Sequence, residues 1–267
     1  RPPYSNTEKN KWLMHKLRQD GNSYYVEHKK EFRLNSPLKE ETIKQVFDFA
    51  YSMTFGKDGE HRDHRTGGEL NRKKGQIFIN TFQGKLAELA VYNAFHTLNP
   101  NAYKRLSSPD FEVYGLGEWD DSDIVLDQLK FSIKSTKHYG NLLLLEQRDW
   151  NSNGEYLPNT SANKGSLYDF FVLVRIKPDG EKLMRGNRLL YNNDYIEKSH
   201  LLNIIDKESW EYDVPGYITM DDFKQIISNK LVLPQKALLN GKIPMDATNY
   251  YIQSGDMRDL EALIPNL

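Results

Sequence analysis

One segment limits the fold more than any other. Residues 82–98, FQGKLAELAVYNAFHTL, are apolar nearly all the way round a helix that starts at about Thr81. The face of Glu88 carries Val91, Tyr92 and Phe95, spaced i+3, i+4 and i+7, and the opposite face carries Phe82, Leu86, Leu89 and Ala90. A helix apolar on every side has to be covered on every side. A carboxylate on it must be paired, protonated or bound to metal. For Glu88 a lysine salt bridge and a place in a functional site both stay open.

The rest of the chain supplies the cover. Apolar residues make up 38% and aromatics 12%, enough for a sizeable core. Residues 8–19, with Trp12, Leu13 and Leu17, read as a helix. A second begins near Ser36-Pro37, with an amphipathic stripe at Ile43, Val46, Phe47, Ala50 and Tyr51, and ends near Phe55-Gly56. Residues 56–76 are polar and glycine-rich, and read as a loop. Strands are expected at 111–114, at 123–126, at 130–136 after a tight turn at Asp127-Gln128, at 142–145, and at 168–176 (YDFFVLVRI). Thr219-Met220-Asp221-Asp222 has the form of a capping box ahead of Phe223, Ile226 and Ile227. The last fifty residues signal little; Asn249, Tyr250, Tyr251 and Gln253 are suited either to reading bases or to packing. The expectation is an α/β (α+β) fold, with a central mixed β-sheet flanked by helices. All 267 residues form one domain: a helical N-terminal lobe over about 1–80, a core over about 81–180 and a C-terminal portion over 181–267.

Several classes drop out. Without cysteine, disulfides, thiolate zinc sites and cysteine nucleophiles are excluded. No run approaches the roughly 18 apolar residues of a membrane span, and Arg1-Pro2-Pro3 does not open a signal peptide; a cytoplasmic protein is expected. With 36 basic and 37 acidic residues the net charge of -1 does not advertise a nucleic-acid binder, so the placement of charge decides.

Three polar positions interrupt the apolar pattern. Asp123 opens an apolar strand, just after Asp120 and Asp121, which suit a solvated turn. Lys134 lies in Phe131-Ser132-Ile133-Lys134-Ser135, where alternation sets Ser132, Lys134 and Thr136 opposite Phe131 and Ile133. Together, GKLAELAVYNAF (84–95), SDIVL (122–126) and FSIKST (131–136) resemble the PD-(D/E)xK nuclease superfamily, in the order helix, strand, hairpin, strand. The resemblance covers about fifty residues.

It implies a restriction-endonuclease-like fold and phosphodiester hydrolysis with Mg²⁺, for which Mn²⁺ can substitute. Asp123 would be the central metal ligand and Glu88 an auxiliary one, the Ile133 backbone carbonyl would complete the shell, and Lys134 would act on the nucleophile. Two positions depart from the pattern: Ser122 replaces a proline, and Ser132 replaces an acid. A Ser-x-Lys variant exists in which a glutamate some dozen residues on supplies the missing carboxylate. Here that is Glu146, twelve residues past Lys134, although a surface glutamate at a strand end is the other reading. The implied activity is that of a type II restriction endonuclease, cutting double-stranded DNA to leave 5′-phosphate ends. It needs no nucleotide cofactor, and a palindromic target implies a homodimer. A structure-selective repair nuclease of the same fold, and an inactive DNA-binding protein made plausible by Ser132, remain as alternatives.

DNA contacts are expected from Arg62, Arg65, Arg72 and Lys73 ahead of the Glu88 helix, and from Lys137 beyond Lys134. An ordinary solvated loop would look the same in sequence. Lys177, Lys182, Arg185 and Arg188 form a further basic cluster, expected in a loop.

Overall fold

The computed structural model describes residues 12–35, 37–56, 72–111, 124–160 and 167–267. In chain order the elements are β1 (Arg18–Asp20), β2 (Ser23–Tyr25), α1 (Glu40–Phe55), α2 (Lys74–Leu98), α3 (Pro100–Arg105), β3 (Ile124–Leu126), β4 (Leu129–Lys137), β5 (Leu142–Glu146), α4 (Leu157–Thr160), β6 (Phe170–Lys177), α5 (Gly180–Gly186), α6 (Lys198–Asp206), β7 (Glu211–Thr219), α7 (Met220–Ser228), β8 (Val232–Leu233), β9 (Leu238–Leu239), β10 (Ile243–Pro244), β11 (Asn249–Gln253) and α8 (Leu260–Leu263).

The central sheet has the order β3-β4-β6-β7. β3 and β4 form the expected hairpin, turning at Asp127 with φ of 56°, a left-handed conformation that aspartate tolerates. β4 then runs parallel to β6, and β6 antiparallel to β7, so the sheet is mixed. Strand alternation divides β6 between two cores. Val172, Val174 and Ile176 join Phe82, Leu86 and Phe95 of α2 and much of α1. Phe171 and Leu173 join Leu143, Leu145, Phe223 and Tyr251 on the other face, under α7 and a second sheet ordered β5-β11-β8. A third small sheet, β1-β2-β9-β10, borders the second core.

The all-round apolar helix is thus covered as its sequence demands, and Phe95 meets Phe131 of β4 edge to face at 5.6 Å. α2 starts at Lys74, seven residues earlier than its apolar pattern. Gly75 in its first turn lets the Leu189 backbone pack against it: a Cβ there would lie 1.8 Å from the Leu189 carbonyl oxygen. Among the described residues no helix is long and apolar enough to cross a membrane.

Five local expectations fail. Residues 12–17 are not helical and 18–20 form β1, because Leu17 is recruited into the second core and Trp12 stacks under the Arg258 guanidinium at 4.0 Å. Of the helical lobe placed at 1–80, the helical described parts are α1 and the beginning of α2; residues 12–31 dock instead against the second core and the central sheet. α1 begins at Glu40 rather than at 36–37, and Phe111 lies outside any strand. Lys182 and Arg185 lie on α5 rather than in a loop.

One ionic knot fastens these layers. Arg175 of β6, 1% exposed, donates from Nε and Nη2 to the two carboxylate oxygens of Asp213 at 2.8 and 2.5 Å. Its remaining donors reach the carbonyls of Lys30 and Glu31 and the Asn141 side chain.

Candidate functional site

β3 pairs with residues 129–131 of β4, and β4 continues alongside β6 through Lys137. A cleft of about 560 Å³ opens there, lined by β4 residues Ile133, Lys134, Ser135, Thr136 and Lys137. Asn80, Gln83 and Gly84 of α2 form one wall, with Arg72 from the approach to that helix. Glu146, Asp149, Trp150 and Asn249 form the other.

Lys134 is in register with Leu173, which belongs to the second core, and so lies on the sheet face towards β5. Its charge acts on Asp149 across the cleft. Burial pushes the Asp149 carboxyl above the ordinary range, and Arg148 and Lys134 pull against that shift without cancelling it. Glu146 closes β5 opposite Asn249 of β11. Its side chain is only 7% exposed, and Oε1 forms an ion pair with Arg148, 2.5 Å from Nε. The buried placement decides against a plain surface glutamate. Burial lowers the pKa of the Arg72 guanidinium, while Asp246, Glu181 and Glu146 act in the opposite sense, so Arg72 feels carboxylates from several sides of the cleft. Lys137 behaves in reverse. Burial alone would lower its ammonium, but Glu181 at 3.3 Å and Asp179 at 3.6 Å outweigh it and hold the pKa above its ordinary value.

The other expected residues stand apart. Glu88 does not line the cleft; its carboxylate takes the Lys85 ammonium at 2.7 Å. Lys85 also donates to the Asp110 carbonyl and lies over Phe49 and Phe111, so the pair marks where the described chain reaches residues 112–123. The lysine salt bridge left open for Glu88 is therefore present. Ser132 is 2% exposed and is not part of the cleft lining. Lys73 is exposed at the start of α2, where its backbone N–H donates to Gln76 Oε1. Asp123, Arg62 and Arg65 lie outside the described residues. Among the described residues the cleft carboxylates do not gather into a group of three within ligand range of one cation. Asp149 and the buried Glu146 line the same cleft as Lys134.

Comparison with family models, with curated proteins and with solved structures finds no match. The geometry therefore carries the functional argument by itself.

Sequence reasoning missed Asp149, Asp246 and the α2 face of Asn80, Gln83 and Gly84. Asp149 sits in Gln147-Arg148-Asp149, a single 3-10 turn directly after β5, and three residues beyond Glu146 was the available signal. Of the C-terminal candidates, Tyr250, Tyr251 and Gln253 pack, and Asn249 alone reaches the cleft.

Proposed function

We propose that this chain is a Mg²⁺-dependent endodeoxyribonuclease of the restriction-endonuclease-like fold, cutting double-stranded DNA at defined sites in the manner of a type II restriction enzyme. One observation carries the reading: Lys134 of the FSIKST segment lines the same cleft as Glu146, the carboxylate that a Ser-x-Lys variant requires.

The reaction adds water to phosphorus and breaks the P–O3′ bond, leaving a 5′-phosphate and a 3′-hydroxyl. Bound Mg²⁺ would acidify a water and offset charge growing on the phosphate. Glu146 and Asp149, with Asp123 from the adjoining segment, are the residues to hold it. Lys134 places its ammonium where an attacking oxygen or a phosphate oxygen gains from a positive charge. Arg72 offers a fork of donors for a flanking phosphate. Lys137 contributes less, since Asp179 and Glu181 already engage it. Cutting both strands of a palindrome would call for a two-fold homodimer.

The test is digestion of a fully sequenced phage DNA with Mg²⁺, beside a Lys134→Ala control. Discrete fragments from the parent alone are expected. A smear would favour the structure-selective repair nuclease. Intact DNA in Mg²⁺ and in Mn²⁺, together with a gel shift, would favour an inactive DNA-binding protein, a reading helped by the burial of Ser132 where the family has an acid. Intact DNA and no shift would end the DNA assignment.

A further inference from the structure

On the second-core side, away from the cleft, His15, His28 and Asp256 come together. Three of their ligand atoms lie within 4.8 Å of one another. The two imidazoles are stacked, with centroids 3.7 Å apart and planes 7° from parallel. Both turn Nδ1 to the same oxygen, Asp256 Oδ1, at 2.8 Å from His15 and 3.6 Å from His28. Only the nearer can be a hydrogen bond. Two protonated rings stacked so closely would repel each other. A carboxylate serving one imidazole does not explain why a second is held beside it at the same angle.

The surroundings hold all three groups. The Asp256 side chain is 4% exposed, and its Oδ2 accepts the His15 backbone N–H at 2.8 Å. Gln253 Oε1 accepts the backbone N–H of Glu27 and of His28, and its Nε2 donates to the His15 carbonyl. Gly255 N–H donates to the His28 carbonyl. A Cβ on Gly255 would lie 2.6 Å from the His28 carbonyl carbon, so only glycine permits this approach. The imidazoles are 38% and 40% exposed, leaving access for an ion and room for water ligands.

We propose that His15, His28 and Asp256 form a binding site for one borderline divalent transition-metal ion of the zinc type. Two neutral imidazole nitrogens and one carboxylate select such an ion over Mg²⁺. The donor–donor separations of 2.8 and 3.6 Å bracket what bonds of about 2.0–2.1 Å in a tetrahedral shell require, and binding would turn the two stacked rings apart so that both Nδ1 lone pairs converge on the ion. The ion would clamp the N-terminal strap, residues 12–31, to the turn after β11. The site stands independently of the nuclease reading.

The test uses the full chain and Co²⁺ as an optical probe. The parent should take up about one equivalent with visible d–d bands of low-symmetry coordination, displaced by Zn²⁺. Zn²⁺ at about a hundredfold excess over Kd should raise the melting temperature by roughly 5–10 °C. His28→Ala and His15→Ala should lose both effects, while Lys134→Ala and Glu146→Gln keep them. Gly255→Ala removes no ligand yet should weaken binding roughly 10–100-fold by displacing the support of His28. Should the histidine variants fold poorly, amide exchange on the parent decides: Zn²⁺ should protect residues 12–30 above the rest of the chain. With excess Mg²⁺ present to occupy the cleft, absence of Co²⁺ binding by the parent, binding that persists in the His15/His28 double variant, or protection elsewhere would each overturn the proposal.

Discussion

Two charged clusters, both built around β-strand cations in the same sheet, are organised in opposite ways. At Arg175 the ionic knot is closed: the buried guanidinium has its donors matched by the buried Asp213, by Asn141 and by the carbonyls of Lys30 and Glu31. At Lys134 the charges stand around a cleft, on both walls, and act on one another across it. A knot of the first kind specifies the fold, because its donors have no capacity left for a ligand. A constellation of the second kind keeps charge facing an open cleft, where a ligand can reach it.

Four experiments break or sharpen that contrast. Arg175→Met leaves Asp213 buried without its partner and should cost about 3–5 kcal/mol, measured by urea unfolding, while the folded fraction still cleaves; a loss below about 0.5 kcal/mol would put the knot among marginal surface pairs. Lys134→Ala should do the reverse. Cleavage falls about 10²–10³-fold, and the unfolding midpoint stays within the range of an ordinary surface change, about 0.5 kcal/mol. Next comes pH. A carboxyl whose pKa is raised keeps its proton to higher pH than a free one, so metal binding that needs the anion weakens as pH falls through that raised value. Mg²⁺ binding to the metal-free protein must displace that proton, so it should weaken on the acid side above the ordinary aspartate range, and Asp149→Asn should lose this pH dependence. An unchanged pH dependence would remove Asp149 from the site. The smallest effect concerns Gly84, in the interior of α2, where an added Cβ meets nothing within 4 Å. Gly84→Ala should stabilise the fold by about 0.5–1 kcal/mol through helix propensity. If DNA runs along this wall, cleavage should drop although stability rises.

Local pattern made the framework legible, and long-range packing hid the rest. The hairpin of β3 and β4, the buried strand β6, the Thr219 cap and the burial of the apolar residues of α2 each follow from residues within about twenty positions of one another. The cleft does not: Lys134, Glu146, Arg72 and Asn249 come from four separate stretches. Of these, Lys134, Glu146 and Arg72 were visible because a family pattern or a local charge run pointed to them. Asp149 was not, since a lone aspartate in a short turn after a strand looks like turn chemistry. Trp12 and Leu17 misled for a related reason. Their helical spacing is real, but a core more than two hundred residues away recruits them into extended chain, as the Trp12 indole bond to the Asp256 carbonyl across 244 positions shows.

That last bond has a consequence for biosynthesis. The strap leaves the ribosome first, and its partners at Tyr251, Gln253 and Asp256 leave 234–244 residues later for the contacts of Leu17, Trp12 and His15. At translation speeds of about 5–20 residues per second, that is an interval of roughly 10–50 s. During that time Trp12 and Leu17 have no native surface to bury against. The central sheet and α2 can form on the nascent chain, but the strap can close only after synthesis has passed β11. This stretch is where a chaperone or a protease would find the chain open.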